Sequence, residues 1–310
     1  MLSLSVIIPT KNRPDDLRLA IESLLTQTLN PNELIIVDQS LTSLSQKETV
    51  KQLSGNKAFT LTYIHDQTIN GLVEAKHIGM QLSKSDIICF LEDDVILSEK
   101  YLEEIEKAFR RNKSLFGAAG VITNTVEASQ FKLWVRNLFF RGIFFDPRPK
   151  ISHLALNDDQ KLYPSPVLSG GLSCWRKQVF QKVAFNVSSG FFMFEDLEFS
   201  TRVWKEMGPC LFIVPKAKLV HSISPRNRPQ GGDHFRRKLS EAVLLFRHRK
   251  GWHGAKRGLL LVIMWWGIES IVKAIMYLSL EPVSGLLSGI SDGFRRRIPP
   301  QIATQSILDN

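Results

Sequence analysis

The sequence predicts an α/β fold in which a mostly parallel sheet is flanked by helices on both faces. Two observations lead to this fold class. Short apolar, β-branched runs alternate with segments of helical spacing along the first 111 residues, as in chains whose strands are joined by crossover helices. Polar side chains also follow three of these runs directly, and ligands bind such sheets beyond the carboxyl ends of the strands. The 310 residues are enough for one large domain and a smaller appendage.

The predicted strands are short because each apolar run stops at a proline or a polar residue. The first run, Leu4–Ile8, stops at Pro9, and the polar segment Thr10–Arg13 follows it. Three further runs are predicted to form buried strands of the same kind, at Leu34–Val37, Phe59–Ile64 and Ile87–Leu91. Asp38 ends the second run and Glu92–Asp94 the fourth, so we expect these polar groups at one edge of the sheet.

Four segments place their apolar residues at intervals of three and four and are predicted to be helices. They are Asp15–Leu25, Leu72–Leu82, Glu99–Arg111 and Glu195–Met207. The last of them begins with acidic residues, which suits the positive end of a helix dipole.

The middle of the chain shows less regular patterns. Phe131–Phe145 is aromatic and basic, and we expect it to form a loop or flap. Val167–Trp175 reads as a strand interrupted at Gly170–Gly171 and followed by a short helix. Leu211–Val214 and Lys218–His221 are predicted to close the sheet.

The region after residue 225 differs in composition from the rest. The net charge of the chain is +10, and basic residues dominate from Arg226 onward, which suits anionic lipid, nucleic acid or an anionic substrate. We therefore predict two parts, a catalytic domain at 1–225 and a basic, helical, membrane-associated region at 226–310.

The C-terminal region contains one uninterrupted apolar run of eleven residues, Gly258–Ile268. It continues to Leu280, but Glu269 and Lys273 interrupt it, and a spanning helix needs about 20 apolar residues. An interfacial helix is the favoured interpretation, because basic residues precede the run and a tryptophan pair lies within it. A true span and an ordinary buried helix remain open.

The cysteines and the start of the chain bear on the compartment. Three cysteines, Cys89, Cys174 and Cys210, stand far apart without a CxxC pair, which argues against a disulfide framework and a structural zinc site. The chain opens on a strand-like run, so no signal-peptide pattern is predicted. Together with the basic region, this predicts a location at the cytoplasmic face of a membrane.

Three sets of residues are candidates for chemistry. Glu92–Asp94 places three acids after a buried strand, where a divalent ion bridging to a diphosphate would satisfy them; the alternative is a solvated acidic turn. Glu195 and Asp196 could accept a proton from a hydroxyl or simply open a helix. His221 follows an apolar pair, and a lone histidine is more often structural than a ligand.

The order of these segments resembles glycosyltransferase family 2, whose members are inverting enzymes with a GT-A fold. The resemblance spans roughly residues 3–222 and rests on six pieces in order. These are Val6–Arg13, Ile36–Asp38, Asn70–Gly71 with Ala75–Gly79, Leu91–Asp94, Ser169–Gly171 with Arg176, and Glu195–Asp196.

The resemblance implies roles for the matching positions. Asp94 would bind a divalent metal, Mn²⁺ or Mg²⁺, with His221 as a further ligand, and Asp196 would be the catalytic base. The residues implied to bind the nucleotide-sugar are Pro9, Thr10, Asn12, Asp38, Lys76, Glu92 and Asp93.

The sequence departs from the family pattern at several positions. These departures bear on which donor is bound more than on membership of the family. Lys76 stands where the family usually has arginine, and His77 replaces a common asparagine. One acid is missing after Asp38, and the DxD-type motif begins with Glu92. The Gln-x-x-Arg-Trp motif is absent, which argues against a processive polysaccharide synthase.

The predicted function is inverting transfer of a sugar from a nucleotide-diphospho-sugar to an acceptor hydroxyl. The expected partners are that donor, a sugar or lipid-linked sugar acceptor and a membrane surface, but no nucleic acid. Cell-surface polysaccharide or glycolipid synthesis is the expected setting. The alternatives are a nucleotide-sugar-binding protein without turnover, a basic nucleic-acid-associated protein, and a nucleotidyltransferase, whose glycine-rich basic opening loop is missing.

Overall fold

The computed structural model describes residues 1–44, 50, 53, 58–125, 130–224, 226, 228–249 and 251–296. Lys250 and residues 297–310 of the predicted basic region therefore lie outside the described residues. Within the described residues one mixed sheet forms from β1 (Leu4–Thr10), β2 (Glu33–Asp38), β3 (Thr60–His65), β4 (Ile87–Phe90), β5 (Val95–Leu97), β6 (Gly117–Ile122), β7 (Tyr163–Pro164), β8 (Ser173–Arg176) and β9 (Leu211–His221).

The described helices cover the sheet and form the C-terminal part of the chain. They are α1 (Pro14–Leu25), α2 (Leu72–Leu82), α3 (Tyr101–Arg111), α4 (Gln130–Phe139), α5 (Arg148–Asn157), α6 (Val179–Lys182), α7 (Glu195–Met207), α8 (Gly231–His248), α9 (Ala255–Tyr277) and α10 (Glu281–Arg295).

The strand order places the polar strand ends around the centre of the sheet. The strands follow the order β3-β2-β1-β4-β8-β6-β9-β5, with β7 paired to β9. The chain moves outward from β1 to β2 and β3 and then returns to the other side of β1 as β4. A crevice opens at this kind of reversal, beyond the carboxyl ends of β1 and β4.

The sheet is parallel only in part. The first four strands in sequence run parallel, and every residue of β1 is buried, as expected for a strand with helices on both faces. However, β8 is antiparallel to β4 and β6, and β5 is antiparallel to β9. The strand–helix alternation, which predicts parallel pairing, ends after α3. Strand β8 begins at the edge of the sheet where β4 ends, so these two strands are antiparallel.

Two apolar layers and a third cluster form the core. One layer packs α1 and α3 on one face of the sheet, and the other packs α5, α6 and α7 on the opposite face. The third cluster joins α8, α9 and α10 to Val167, Phe191 and Leu197 of the sheet-bearing part. The C-terminal helices are thus packed onto the rest of the described chain.

Most predicted elements are confirmed, and the misses have physical causes. Phe131–Phe145 is a helix and a 3₁₀ turn instead of a loop, and two of its rings, Phe139 and Phe140, pack on α9; Phe139 lies 5.1 Å from Trp265 between ring centroids. Leu211–His221 is one strand. Strands β5 and β6 and helix α5 escaped prediction, since each is short or has weak periodicity.

Candidate active site

The topology gathers the predicted site residues at one edge of the sheet. Strands β1, β2 and β4 run in the same direction, and β9 shares it because β4 and β6 are both antiparallel to β8 and β9 is parallel to β6. The carboxyl ends of all four strands therefore meet. Thr10, Asp38, the Glu92–Asp94 segment and His221 lie at these ends.

Glu92, Asp94 and His221 form a compact cluster. The imidazole Nε2 of His221 lies 3.0 Å from a carboxylate oxygen of Glu92 and 3.1 Å from Oδ1 of Asp94. One donor atom from each residue falls within 4.8 Å of the others. Two carboxylates and one imidazole are suitable ligands for Mn²⁺ or a similar divalent ion, so the cluster fits the metal that the resemblance implies.

Positive groups surround the same acids. Oδ2 of Asp94 accepts hydrogen bonds from the backbone N–H of Ser224 at 2.9 Å and from Nη2 of Arg228 at 3.2 Å. Burial opposes ionisation of Asp94, but the His221 and Ser224 hydrogen bonds and the nearby charges hold its pKa well below the usual range. Burial alone would lower the pKa of His221, but the two carboxylates raise it to about 9.

Asp93 points away from this cluster. Its carboxylate accepts hydrogen bonds from Oγ1 of Thr10 at 2.7 Å and from Nη1 of Arg13 at 2.9 Å. Burial raises the pKa of Asp93 to about 6 despite the Arg13 charge. Asp93 therefore joins the end of β1 to the end of β4, on the crevice side of the sheet.

The first two strand ends carry a second hydrogen-bonded loop system. Asp38 is fully buried, and its carboxylate accepts hydrogen bonds from the N–H of Ser40 and of Leu44, both at 2.9 Å, and from the Tyr63 hydroxyl. Burial and Asp38 raise the pKa of Tyr63 to about 12. The side chain of Asp38 thus shapes the loop after β2.

Asn12 and Pro9 have different surroundings. Asn12 adopts a left-handed backbone with φ of 54°, donates its N–H to Ser40 Oγ at 2.7 Å, and accepts the N–H of Leu41 at 3.0 Å. Pro9 lies inside β1, opposite Val37. Asn12 consequently links the loops after β1 and β2, whereas Pro9 is part of the sheet.

Two consecutive glycines separate the two groups of acids. A Cβ on Gly171 would lie 2.1 Å from Cγ of Glu92, and a Cβ on Gly170 would lie 1.8 Å from Oε1 of Glu195 and 3.1 Å from Cβ of Asp196. Only glycine, which has no Cβ, leaves room for these acidic side chains. The 170–171 turn therefore brings Glu92 and the start of α7 to its two sides.

Lys76 is buried beside Gly170, Glu195 and Asp196. Its side chain is 2% exposed, and Nζ lies 2.5 Å from Oε1 of Glu195. Burial raises the pKa of Glu195, and the Lys76 charge opposes that rise. Lys76 thus forms a buried ion pair with the first residue of α7.

Asp196, the predicted base, is held by Arg148. Nη1 of Arg148 binds Oδ2 of Asp196, while Oδ1 accepts the N–H of Leu197 at 2.7 Å. The rest of the guanidinium binds Asp146 in a two-pronged contact at 2.9 and 3.0 Å, and the pKa of Asp146 is lowered by Arg148 although burial acts against it.

Several residues at the site were missed by sequence reasoning. Arg228 was counted only as part of the basic region, and Arg148 and Asp146 lie in a segment without an interpreted pattern. Arg13 was named only within the polar run after β1. The pairing of Asp94 with Arg228 joins residues 134 positions apart, and no local pattern encodes it.

Residues 5–183 match the family described as glycosyl transferase family 2. A glycosyltransferase of Haemophilus influenzae, described as uncharacterized, is 31% identical over 112 residues, which cover 36% of each chain. TarP of Staphylococcus aureus, a poly(ribitol-phosphate) β-N-acetylglucosaminyltransferase, is 30% identical over 125 residues, 39% of this chain and 38% of TarP. The matches thus span little more than a third of these relatives.

The fold is also that of solved glycosyltransferases. The crystal structure of GalNAc-T7 with UDP, GalNAc and Mn²⁺ superposes with a TM-score of 0.60 at 17% identity, covering 80% of this chain and 48% of GalNAc-T7. The predicted GT-A fold is confirmed, with a mixed sheet in place of a mostly parallel one.

Proposed function

The chain belongs to glycosyl transferase family 2, and on that premise we propose that it is a metal-dependent transferase that moves a sugar from a nucleoside-diphosphate donor to an acceptor hydroxyl with inversion. The observation that carries the proposal is the convergence of Glu92, Asp94 and His221 within 4.8 Å at the carboxyl edge of the sheet. Such a donor set beside a crevice suits a diphosphate-bound divalent ion.

The proposed metal ligands are Asp94, His221 and Glu92. A bound Mn²⁺ or Mg²⁺ would supply positive charge to the diphosphate as it leaves. The side chains of Arg13 and Arg228 already face the same acids. They provide further positive charge on the side from which a diphosphate would approach.

The nucleotide is proposed to lie over the loops after β1 and β2. Thr10 and Asp93 form the floor through their hydrogen bond, and Asn12 ties the two loops together. Asp38 holds the second loop from below. Pro9 lies inside β1, one residue before that strand ends at the crevice, and the contacts of Pro9 and Lys76 with the donor stay predictions of the resemblance.

Asp196 is proposed to accept the proton of the acceptor hydroxyl. The hydroxyl oxygen then attacks the anomeric carbon opposite the leaving diphosphate, so that one displacement inverts that carbon. The Gly170–Gly171 turn lies between Glu92 and Asp196, and this supports a base and a leaving-group site on the two sides of one short segment.

We propose further that the acceptor is presented at a membrane. In the described part of the chain, α9 is the helix long and apolar enough to cross a bilayer by length and composition. One of its faces is packed on the protein through Leu259, Val262, Trp266 and Ser270. Its other face exposes a membrane stripe, defined as Leu260, Met264, Ile268, Ile271 and Ile275.

The geometry of α9 favours an interfacial position over a full span. The stripe residues are between 48% and 69% exposed and recur every three or four positions, so they form one continuous apolar face. As far as Ser270 the opposite face is covered by protein, so lipid can surround only one side of that part of the helix, whereas its last two turns are exposed on several sides. The boundary near residue 225, the cytoplasmic face and a role in cell-surface polysaccharide or glycolipid synthesis belong to the same proposal.

The proposal is tested by donor turnover and its stereochemistry. The protein is incubated with UDP-GlcNAc, UDP-GalNAc or GDP-mannose, with Mn²⁺ or with EDTA, and release of nucleoside diphosphate is measured. We expect metal-dependent release from one donor, and, because water is the acceptor when no other is added, NMR of the freshly released sugar should show inverted anomeric configuration. Asp196→Asn should lower turnover by about 10²- to 10⁴-fold while nucleotide binding persists.

Two outcomes would contradict the proposal. Turnover that survives EDTA would exclude the metal assignment. Equal loss of nucleotide binding and turnover in Asp196→Asn would show that Asp196 supports the fold instead of accepting the proton.

A further inference from the structure

The Phe192–Phe194 turn leads into α7, whose first turn carries the proposed base Asp196, and Phe194 offers no side-chain cap. Helix α7 begins at Glu195, and the preceding Phe194 has no side-chain acceptor for the free N–H groups at the helix start. Buried N–H groups without a partner are costly. Asp196 itself accepts the N–H of Leu197 at 2.7 Å, so an acceptor from elsewhere in the chain is needed for the N–H groups of the turn before the helix.

Glu241 of α8 is that acceptor. Its Oε2 accepts the N–H of Phe192 at 3.0 Å, of Met193 at 2.7 Å and of Phe194 at 3.3 Å. The side chain of Glu241 is 1% exposed. A carboxylate in this position forms charge-assisted hydrogen bonds and also lies at the positive end of the α7 dipole.

Arg237 fixes Glu241 from the other side. Nε of Arg237 donates to Oε1 of Glu241 at 3.0 Å, and its guanidinium lies 4.3 Å from the centroid of the Phe192 ring. Both oxygens of Glu241 are thus engaged. The carboxylate has one orientation in which it satisfies the three N–H groups and the arginine together.

Two other groups of the C-terminal helices hold the same turn. Arg249, just after α8, donates to the backbone carbonyl of Glu198 at 2.7 Å. The ring of Trp266 on α9 lies 6.2 Å from the ring of Phe194 between centroids. The first turn of α7 and the segment before it therefore rest on α8 and α9, and Glu241 makes the polar contacts to the Phe192–Phe194 backbone.

We propose that Glu241 is a positioning residue for sugar transfer, which holds the Phe192–Phe194 backbone so that Asp196 meets the acceptor hydroxyl. The proposal rests on the proposed function, in which Asp196 is the base. Glu241 lies outside the segment 5–183 that matches the family. The C-terminal helices thereby complete the active site, in addition to carrying the membrane stripe.

The test compares two buried glutamates of similar surroundings. In Glu241→Gln the amide cannot accept from three N–H groups and from Arg237 at once, because its –NH₂ only donates. The matched control is Glu106→Gln on α3. Glu106 is 3% exposed, accepts the N–H of Leu2 at 3.1 Å and binds Arg110 at 3.2 Å. Leu2 precedes β1, so Glu106 lies at the amino end of that strand. The carboxyl end of β1, where the site lies, is about 20 Å away along the strand.

Three readouts are measured on full-length protein. They are turnover of the donor that the wild type uses among UDP-GlcNAc, UDP-GalNAc and GDP-mannose, affinity for the matching nucleoside diphosphate with Mn²⁺, and hydrogen exchange of amides 192–197. For Glu241→Gln we expect kcat to fall about 10- to 100-fold, nucleotide affinity to stay unchanged and these amides to exchange faster. For Glu106→Gln we expect unchanged kcat and unchanged exchange at 192–197.

The outcomes separate this proposal from the function on which it rests. Wild-type kcat in Glu241→Gln, with or without faster exchange, would show that Glu241 only stabilises the fold. If that variant does not fold, Glu241→Asp keeps the charge on a side chain one methylene shorter, and it should show the same pattern to a smaller extent. A wild type that turns over none of the donors would refute the proposed function itself, and the catalytic meaning of Glu241 with it.

Discussion

Replacing Asp94 by asparagine tests the proposed role of this side chain as a metal ligand, apart from the other residues of the site. Asparagine keeps the shape of the side chain and one acceptor oxygen, but it removes the charge that His221 contacts at 3.1 Å and Arg228 at 3.2 Å. The side chain of Asp94 is fully buried, whereas that of Arg228 is 35% exposed. The Arg228 contact is therefore screened by solvent and contributes the smaller share.

The expected magnitudes follow from these contacts. Hydrogen bonds to a charged group contribute about 1.5–3 kcal/mol, against about 1 kcal/mol for neutral ones, and asparagine has a smaller desolvation cost. We therefore expect Asp94→Asn to lower the free energy of unfolding by about 2 kcal/mol without metal. Mn²⁺ at 100 times its Kd stabilises a binding protein by about 2.7 kcal/mol. At about 2–4 °C per kcal/mol, the wild-type Tm should rise by about 5–10 °C.

Scanning calorimetry with and without MnCl₂ measures both effects. Asp94→Asn should lose the Mn²⁺-dependent rise in Tm. Asp86→Asn is the control, because Asp86 accepts the N–H and hydroxyl of Ser3 at 2.9 and 2.8 Å at the amino end of β4, away from the site. That variant should be less stable yet keep the rise. An equal rise in Asp94→Asn and wild type would refute the metal assignment.

Two further changes test the interior ion pair and the membrane stripe. Lys76→Met should cost about 3–5 kcal/mol of stability in chemical denaturation, because it leaves Glu195 buried without a partner, and Lys76→Met with Glu195→Gln should recover most of it. Burial already raises the pKa of Glu195 above 4.5. The unfolded state therefore holds fewer protons on Glu195 than the folded state does. The loss of stability in Lys76→Met should shrink as the pH falls through the titration of Glu195, and a pH-independent loss would contradict the reasoning. Glutamine at both Leu260 and Ile271 should reduce sedimentation with anionic vesicles, whereas Leu82→Gln, 42% exposed on α2, should not; equal binding by all variants would refute the membrane stripe.

Sequence patterns were sufficient for the part of the fold in which local periodicity and strand-end chemistry coincide. The bounds of α2 and α7 match their predicted ranges, since their apolar residues recur on one face. Strand β6 contains two glycines and two alanines among its six residues, so it lacks the β-branched run that marks the others. Its burial depends on β8 and β9, which only the tertiary structure places beside it.

Site residues were predictable as types but not as partners. Acidic groups after β4 and at the start of α7 were visible in the sequence, because they stand where carboxylates are costly or favoured for physical reasons. Arg148, Arg228 and Glu241 were not, since each acts on site residues 47 or more positions away. Their positions in the sequence look like ordinary surface helix or basic tail.

Adjacent acids show most clearly what tertiary contacts add. Glu92 and Asp94 turn toward His221, while Asp93 between them turns toward Thr10 and Arg13. In the same way Glu195 enters the interior to meet Lys76, whereas its neighbour Asp196 meets Arg148 at the glycine turn. Chemically similar carboxylates thus receive different tasks from the cations opposite them. Because the carboxylate is common to all of these residues, the cation and backbone N–H groups around each one are the features that distinguish it from its neighbours.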